Sequence, residues 1–190
     1  MRTNDFATDL AYSHSQEDAP WWDEVYRKGF GSSLLSHHRH SQDGWHQRAG
    51  VDRTIVLRDS KTLRVDEKVR RRTWGDVLLE TESKFYGPNN RKNVPGWAVK
   101  DALCDYIAYA FAETGICYLL PFHAMQSALR NNWAEWNTKA DAKTDGFTFV
   151  IAKNSTYSTR SIAVPTDILL AAVTRTMTIT FGTTRMEAPF

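Results

Sequence analysis

The chain has 190 residues, with 24 Lys and Arg against 22 Asp and Glu, a formal net charge of +2. A hydrophobic content of 42% and an aromatic content of 12% exclude a disordered chain. So small a net charge excludes a polycation that holds nucleic acid by bulk charge, leaving only local clusters for that role.

The length suits one domain, drawn as 20–190 behind a polar, loosely held segment 1–19. The stretch APWWDEVYRKGFG (19–31) predicts a helix, with Pro20 in its first turn and Gly29 and Gly31 at its end. Residues 32–50 have no clean period and predict mostly loop. The histidines of HHRH (37–40) lack a Cys or second His pair at metal spacing and read as incidental. From residue 51 the period becomes two. Strands are expected at 51–59 and 62–70 around an Asp-Ser-Lys turn, with a third at 75–83, the three making an antiparallel meander.

Residues 85–97 form a turn-rich basic loop with Arg91 and Lys92. The segment 98–111 reads as a short helix and then a strand, and 116–122 as a strand buried on both faces. A helix at 123–136 puts Met125, Leu129 and Trp133 in the core. Strands at 147–154 and 160–165 precede a helix at 165–176 with Thr166 as N-cap, and the tail adds a last strand or frays. The order predicts an α/β fold, a sandwich around a central mixed sheet flanked by helices. Cys104 and Cys117 lie in apolar runs and read as buried free thiols of a reducing compartment. No signal-peptide core and no membrane-spanning apolar run is visible, so a cytoplasmic protein without membrane partners is expected.

The second strand, TLRVDEKVR (62–70), carries Asp66, Glu67 and Lys68 in a row, residue types that strands disfavour. Alternation splits them: Asp66 and Lys68 share one face, and Glu67 the other. The hairpin brings Asp52 opposite roughly residue 68, so two carboxylates and an ammonium converge. Two close carboxylates repel unless a cation sits between them, and Mg²⁺ is held by one or two carboxylates with waters and phosphates. A lysine beside such a metal positions water or stabilises charge on phosphorus.

Asp52, a gap of thirteen residues, then Asp66-Glu67-Lys68 on the return strand of a hairpin resembles the PD-(D/E)XK nuclease superfamily, with Val51 where the family proline stands. The resemblance covers roughly 20–111. It implies a restriction-endonuclease-like core of helix, three-strand meander, helix and strand. It further implies a Mg²⁺- or Mn²⁺-dependent deoxyribonuclease, less often acting on RNA, with homodimers common in the family. On it, Asp52 and Asp66 bind metal, Lys68 is catalytic, and the helix-borne Glu24, chosen over Asp23, completes the catalytic set. The backbone carbonyl of Glu67 is an allowed ligand.

Seven Lys or Arg residues lie in 58–72. Arg70, Arg71 and Arg72, with Lys100 in a loop, are expected to hold nucleic-acid phosphates. Gln47 is a candidate for contact with substrate or water next to the site. Glu80, on the third strand, either reaches the active face or pairs with a hairpin arginine, and the arginine pairing is the expected one. The alternative reading is a non-catalytic nucleic-acid-binding or protein-interaction protein of the same fold.

Overall fold

The computed structural model describes residues 12, 15–40, 44, 49–153, 157–173 and 177–180. Helix α1 (Trp21–Phe30) leads through a single 3₁₀ turn to β1 (Leu34–Arg39), β2 (Arg53–Leu57), β3 (Thr62–Arg70), β4 (Asp76–Phe85) and the two-residue β5 (Val94–Pro95). Then come β6 (Tyr106–Phe111), β7 (Ile116–Pro121), the long α2 (Phe122–Ala142), β8 (Thr148–Lys153), β9 (Ser158–Pro165), α3 (Thr166–Ala172) and β10 (Met177–Thr180). The strands form two sheets, ordered β1-β2-β3-β6-β7-β10 and β5-β4-β9-β8. This is a mixed α/β fold with a mixed six-stranded sheet at its centre. No helix among the described residues is long and apolar enough to cross a membrane.

The central sheet is buried on both faces because its middle strands carry apolar side chains both ways. On one face Trp22, Val25 and Tyr26 of α1 pack on Ile55, Val65, Ala108, Ala110 and Leu119. On the other, Ile107, Tyr109, Phe111 and Leu120 meet Val77 and Leu79 of β4, Ile162 and Val164 of β9, and Met125 and Leu129 of α2. Cys104 and Cys117 are buried and free.

The expected meander forms only in its first half. β2 and β3 pair antiparallel, with Arg53 opposite Val65 and Val56 opposite Thr62. The far edge of β3 is taken by β6, parallel, from Val65–Tyr106 to Arg70–Phe111. A central position buried on both faces suits the unbroken apolar run YIAYAF, whereas β4 turns polar from Glu80 onward. Gly75, at φ +73°, makes the turn that sends β4 into the second sheet, where it pairs with β9. The Tyr109 hydroxyl accepts a bond from the Leu78 N–H at 3.0 Å and joins the two sheets.

Four further expectations are corrected. Residues 34–39 form an edge strand, paired with β2, where loop was expected. No helix forms at 98–104: the Gly96 N–H donates to the Thr81 carbonyl (2.8 Å) and the Ala98 N–H to the Glu80 carbonyl (3.1 Å), so this segment is tied to β4 as a turn. A Cβ at Gly96 would stand 2.3 Å from the Glu80 carbonyl oxygen, so this approach requires glycine. Thr166 does not cap α3; Pro165 holds the N-cap position, and the Thr166 N–H donates to the Gly75 carbonyl at 2.9 Å. Residues 15–19 are fastened, with the Trp22 indole donating to the Gln16 carbonyl at 3.1 Å and Arg39 pairing with Glu17 and Asp18.

Candidate active site

The hairpin register puts Asp52 one step beyond the Arg53–Val65 pair, level with Asp66 and not with Lys68. The Asp52 N–H donates to the Val65 carbonyl (2.9 Å), and an Asp52 carboxylate oxygen accepts from the Glu67 N–H at 2.7 Å. Its side chain thus turns back over the strand end and faces the Asp66 carboxyl, close enough to share a hydrogen bond. Lys68 Nζ donates to Asp66 Oδ1 at 2.5 Å and lies 3.5 Å from the Glu67 carbonyl oxygen.

Asp66 is 6% exposed, and the Lys68 side chain 30%, so the ammonium forms the mouth of the site. Burial pushes the Asp66 carboxyl up to about 7; the Lys68 ammonium opposes that rise, and the Asp52 carboxylate adds to it. The Lys68 ammonium is held above its ordinary range by Asp66, Asp52 and Glu80, against its own desolvation.

Glu67 lies on the opposite face, as alternation requires. It accepts from the Tyr26 hydroxyl (2.6 Å) and from Arg53 Nε (2.6 Å). Arg53 Nη1 lies 3.1 Å from His37 Nδ1, and His37 Nε2 lies 3.2 Å from Asp23. His37 of the HHRH stretch therefore belongs to a polar network that runs from the buried Glu67 and Arg53 out to the exposed Asp23 beside α1.

Glu24 is not brought to the acidic pair. It sits on α1, which covers the Glu67 face, and its carboxylate pairs with Lys28 one turn on at 2.7 Å. Its place in the catalytic set is corrected on that ground. Arg70 is corrected too: its Nη1 is bound to the Asp76 carboxylate and, at 3.1 Å, to the Asp76 carbonyl, so it braces β3 against β4. Arg71 and Arg72 are exposed. Gln47 falls outside the described residues.

Glu80, on β4, is the further acid that the structure brings near Lys68. Its carboxylate lies in the field of Lys68 and Lys100 and accepts from the Trp97 N–H at 3.4 Å, while burial raises its pKa. The expected pairing with a hairpin arginine goes instead to Asp76. Lys68 also lies 5.8 Å from the Trp97 ring centroid, a cation–π contact. Lys100 is half-buried on the same turn, and its carbonyl accepts from Gln126 Nε2 of α2 at 2.9 Å. Opposite signs at 68/70 and 76/80 on neighbouring strands were the available signal for Glu80. Cys104 adjoins the site, but burial holds its thiol up at about 12, so it is no nucleophile at neutral pH.

Two carboxylates and the Glu67 carbonyl supply hard oxygen donors on one side of β3, a set that fits a divalent cation completed by waters. Among the described residues no group of three His, Cys, Asp or Glu side chains gathers as a metal cage. A closed zinc site is thus not offered there, while an open Mg²⁺-type site needs no third side chain.

Comparison of the chain with family models, with curated proteins and with solved structures finds no match in any of the three.

Proposed function

We propose that the protein is a metal-dependent nuclease of PD-(D/E)XK type, with a restriction-endonuclease-like core built on the β2–β3 hairpin, hydrolysing phosphodiester bonds of DNA. The observation that carries this reading is the buried Asp66 carboxyl facing Asp52 across the hairpin, with the Lys68 ammonium 2.5 Å away at the mouth. One ammonium and two carboxylates leave an excess of negative charge in a low-dielectric place, which a divalent cation would neutralise.

Asp52, Asp66 and the Glu67 carbonyl would hold Mg²⁺ or Mn²⁺. Bound there, the metal lowers the pKa of a coordinated water and offsets charge on the phosphate oxygens. Lys68 stays protonated and donates to the incoming water or to a phosphate oxygen. Glu80 and Trp97 fix the direction of that ammonium from the β4 side. Lys100 adds positive charge beside Glu80, and the exposed Arg71 and Arg72 past the end of β3 steer the phosphate backbone. The competing reading, a non-catalytic nucleic-acid-binding or protein-interaction protein of this architecture, draws on the depth of Asp66.

One experiment separates them. Single-stranded DNA, duplex DNA and RNA are incubated with the protein in Mg²⁺, Mn²⁺ or EDTA. Metal-dependent cleavage of DNA, lost in Asp66→Ala and Lys68→Ala, supports the nuclease. Binding without cleavage in every metal overturns it in favour of the second reading.

A further inference from the structure

Of the three consecutive arginines after Val69, one is locked and two are not. Arg70 is fixed to Asp76, whereas among the described residues neither Arg71 nor Arg72 is in a salt bridge. These two line an open cavity of about 290 Å³ together with Tyr12, Ala112 and Glu113. The Arg71 guanidinium lies 5.9 Å from the centroid of the Tyr12 ring.

The placement of the cavity is set by the topology. β3 and β6 run parallel, and the Ala112 N–H, one residue past β6, donates to the carbonyl of Arg70, the last residue of β3, at 3.0 Å. The cavity therefore sits at the carboxyl ends of the parallel pair, where open α/β sheets bind ligands. Arg71 follows Lys68 by three residues, at most about 10 Å of chain at roughly 3.3 Å per extended residue. That is about three nucleotide steps at roughly 3.4 Å each.

We propose that this cavity takes one unpaired nucleotide of a DNA strand. The base stacks on Tyr12 and the Arg71 plane, and Arg72 holds the adjoining phosphate. The chemistry fits each group: nucleobases stack on tyrosine rings and guanidinium planes, and guanidinium forks bind phosphate. The volume lies at the lower end of small-molecule sites. It suits one planar group with its phosphate and not a duplex, whose major groove alone is about 12 Å wide. Glu113 on the rim disfavours a second phosphate there. The consequence is a preference for DNA with an unpaired segment over blunt duplex. This assignment of substrate class rests on the nuclease reading of the neighbouring hairpin.

The test is binding in EDTA, so that cleavage does not intervene. Full-length protein is titrated against a fluorescein-labelled blunt duplex, the same duplex with a short overhang, and the single strand. The overhang and the single strand are expected to bind about 10-fold tighter than the blunt duplex, as stacking of one base supplies. Tyr12→Ala should erase most of that preference, and Tyr12→Phe, which keeps the ring, should retain it. The Arg71→Ala/Arg72→Ala variant should lower the salt slope of single-strand binding by about 0.7 per lost phosphate contact. Arg130→Ala, an exposed arginine on α2, should change neither. Equal affinity for blunt and overhang duplex overturns the proposal, as does a preference that survives both Tyr12→Ala and the double arginine variant. Metal-dependent cleavage assayed separately tells the two readings apart. Cleavage without any preference for unpaired DNA leaves the nuclease standing and removes this site. A Tyr12-dependent preference without cleavage in any metal leaves this site standing and removes the nuclease.

Discussion

Glu67 and Asp66 are neighbours on β3, both buried, yet their surroundings differ in kind. Glu67 has a dedicated guanidinium, a hydroxyl and a tight network around it under α1. Asp66 faces a second carboxylate and shares one lysine with it. Burial of a charge is quiet when its partners match it and costly when they do not. One face of the strand is thus satisfied by its own partners and the other is not, and on the proposed nuclease reading the unmatched charge is the reactive side.

The comparison breaks most visibly if each carboxylate is removed in turn. Asp66→Asn should reduce cleavage by about 10³-fold or more, since the groups of such a site act as a unit, while the protein remains folded. Glu67→Ala should do the reverse. It strands Arg53 and the Tyr26 hydroxyl, side chains with almost no exposure, and should cost about 3–5 kcal/mol in urea unfolding. Activity per folded molecule should stay near wild type. If Glu67→Ala abolishes cleavage in protein that is still folded, the division between the two faces is wrong.

The division itself was readable in the residues, because the side-chain alternation of a strand is local geometry and the Asp-Ser-Lys turn sets the hairpin register. Asp52, Asp66 and Lys68 could therefore be brought together without long-range knowledge. Glu80 could not. Its approach to Lys68 depends on β4 leaving the central sheet, and that depends on β6 winning the free edge of β3, a competition between strands far apart in the chain. Glu24 was misplaced for a related reason: ten residues of helix do not say which face of the sheet they will cover. β1 was hidden because an edge strand bearing Ser36, His37, His38 and Arg39 has no clean apolar alternation. The helix expected at 98–104 has apolar residues enough, but Gly96 ties that turn to the backbone of β4 first.

A pH series sharpens the contrast. The folded-state value of Asp66, about 7, lies above its ordinary 3.8. The folded protein thus holds a proton that the unfolded chain has released, and stability falls as pH rises from about 4 to about 7. In EDTA the unfolding free energy from urea titration should decline across that window, by about a few kcal/mol. Asp66→Asn should flatten most of the decline; Glu67, also raised by burial, leaves a smaller residual slope. Added Mg²⁺ should stabilise more at about pH 8 than at about pH 5, because metal and proton compete for the same oxygens. For the same reason the rise of cleavage with pH should move to lower pH as Mg²⁺ is increased. A flat wild-type profile in EDTA would mean that Asp66 is better solvated than its 6% exposure implies.

A smaller effect is expected at Glu80. Glu80→Gln keeps the Trp97 contact and removes the charge that faces Lys68 from β4. Cleavage should fall by about 10-fold through a misdirected ammonium, less than the roughly 10²–10⁴-fold a general acid or base itself contributes, and unfolding should be little changed. A loss as large as that of Asp66→Asn would instead make Glu80 a metal ligand.

The least effect should come from Glu24→Ala. Its pair with Lys28 is an exposed i,i+4 contact on α1, with side chains 38% and 48% exposed. Loss of such a pair shifts unfolding by about 0.3–0.5 kcal/mol, and cleavage should not change. Glu24 is nonetheless an informative position. An acid on the helix before the first hairpin strand is what the nuclease resemblance asks for, yet here that helix covers the matched face, where Glu67, Arg53 and Tyr26 already satisfy one another. If Glu24→Ala lowers cleavage 10-fold or more while unfolding is unchanged, substrate reaches the hairpin from the α1 side. The reactive face would then be the one that looks structural. If cleavage is unchanged, the acid has moved in this protein from the helix to β4, and Glu80 holds the position that Glu24 was expected to fill.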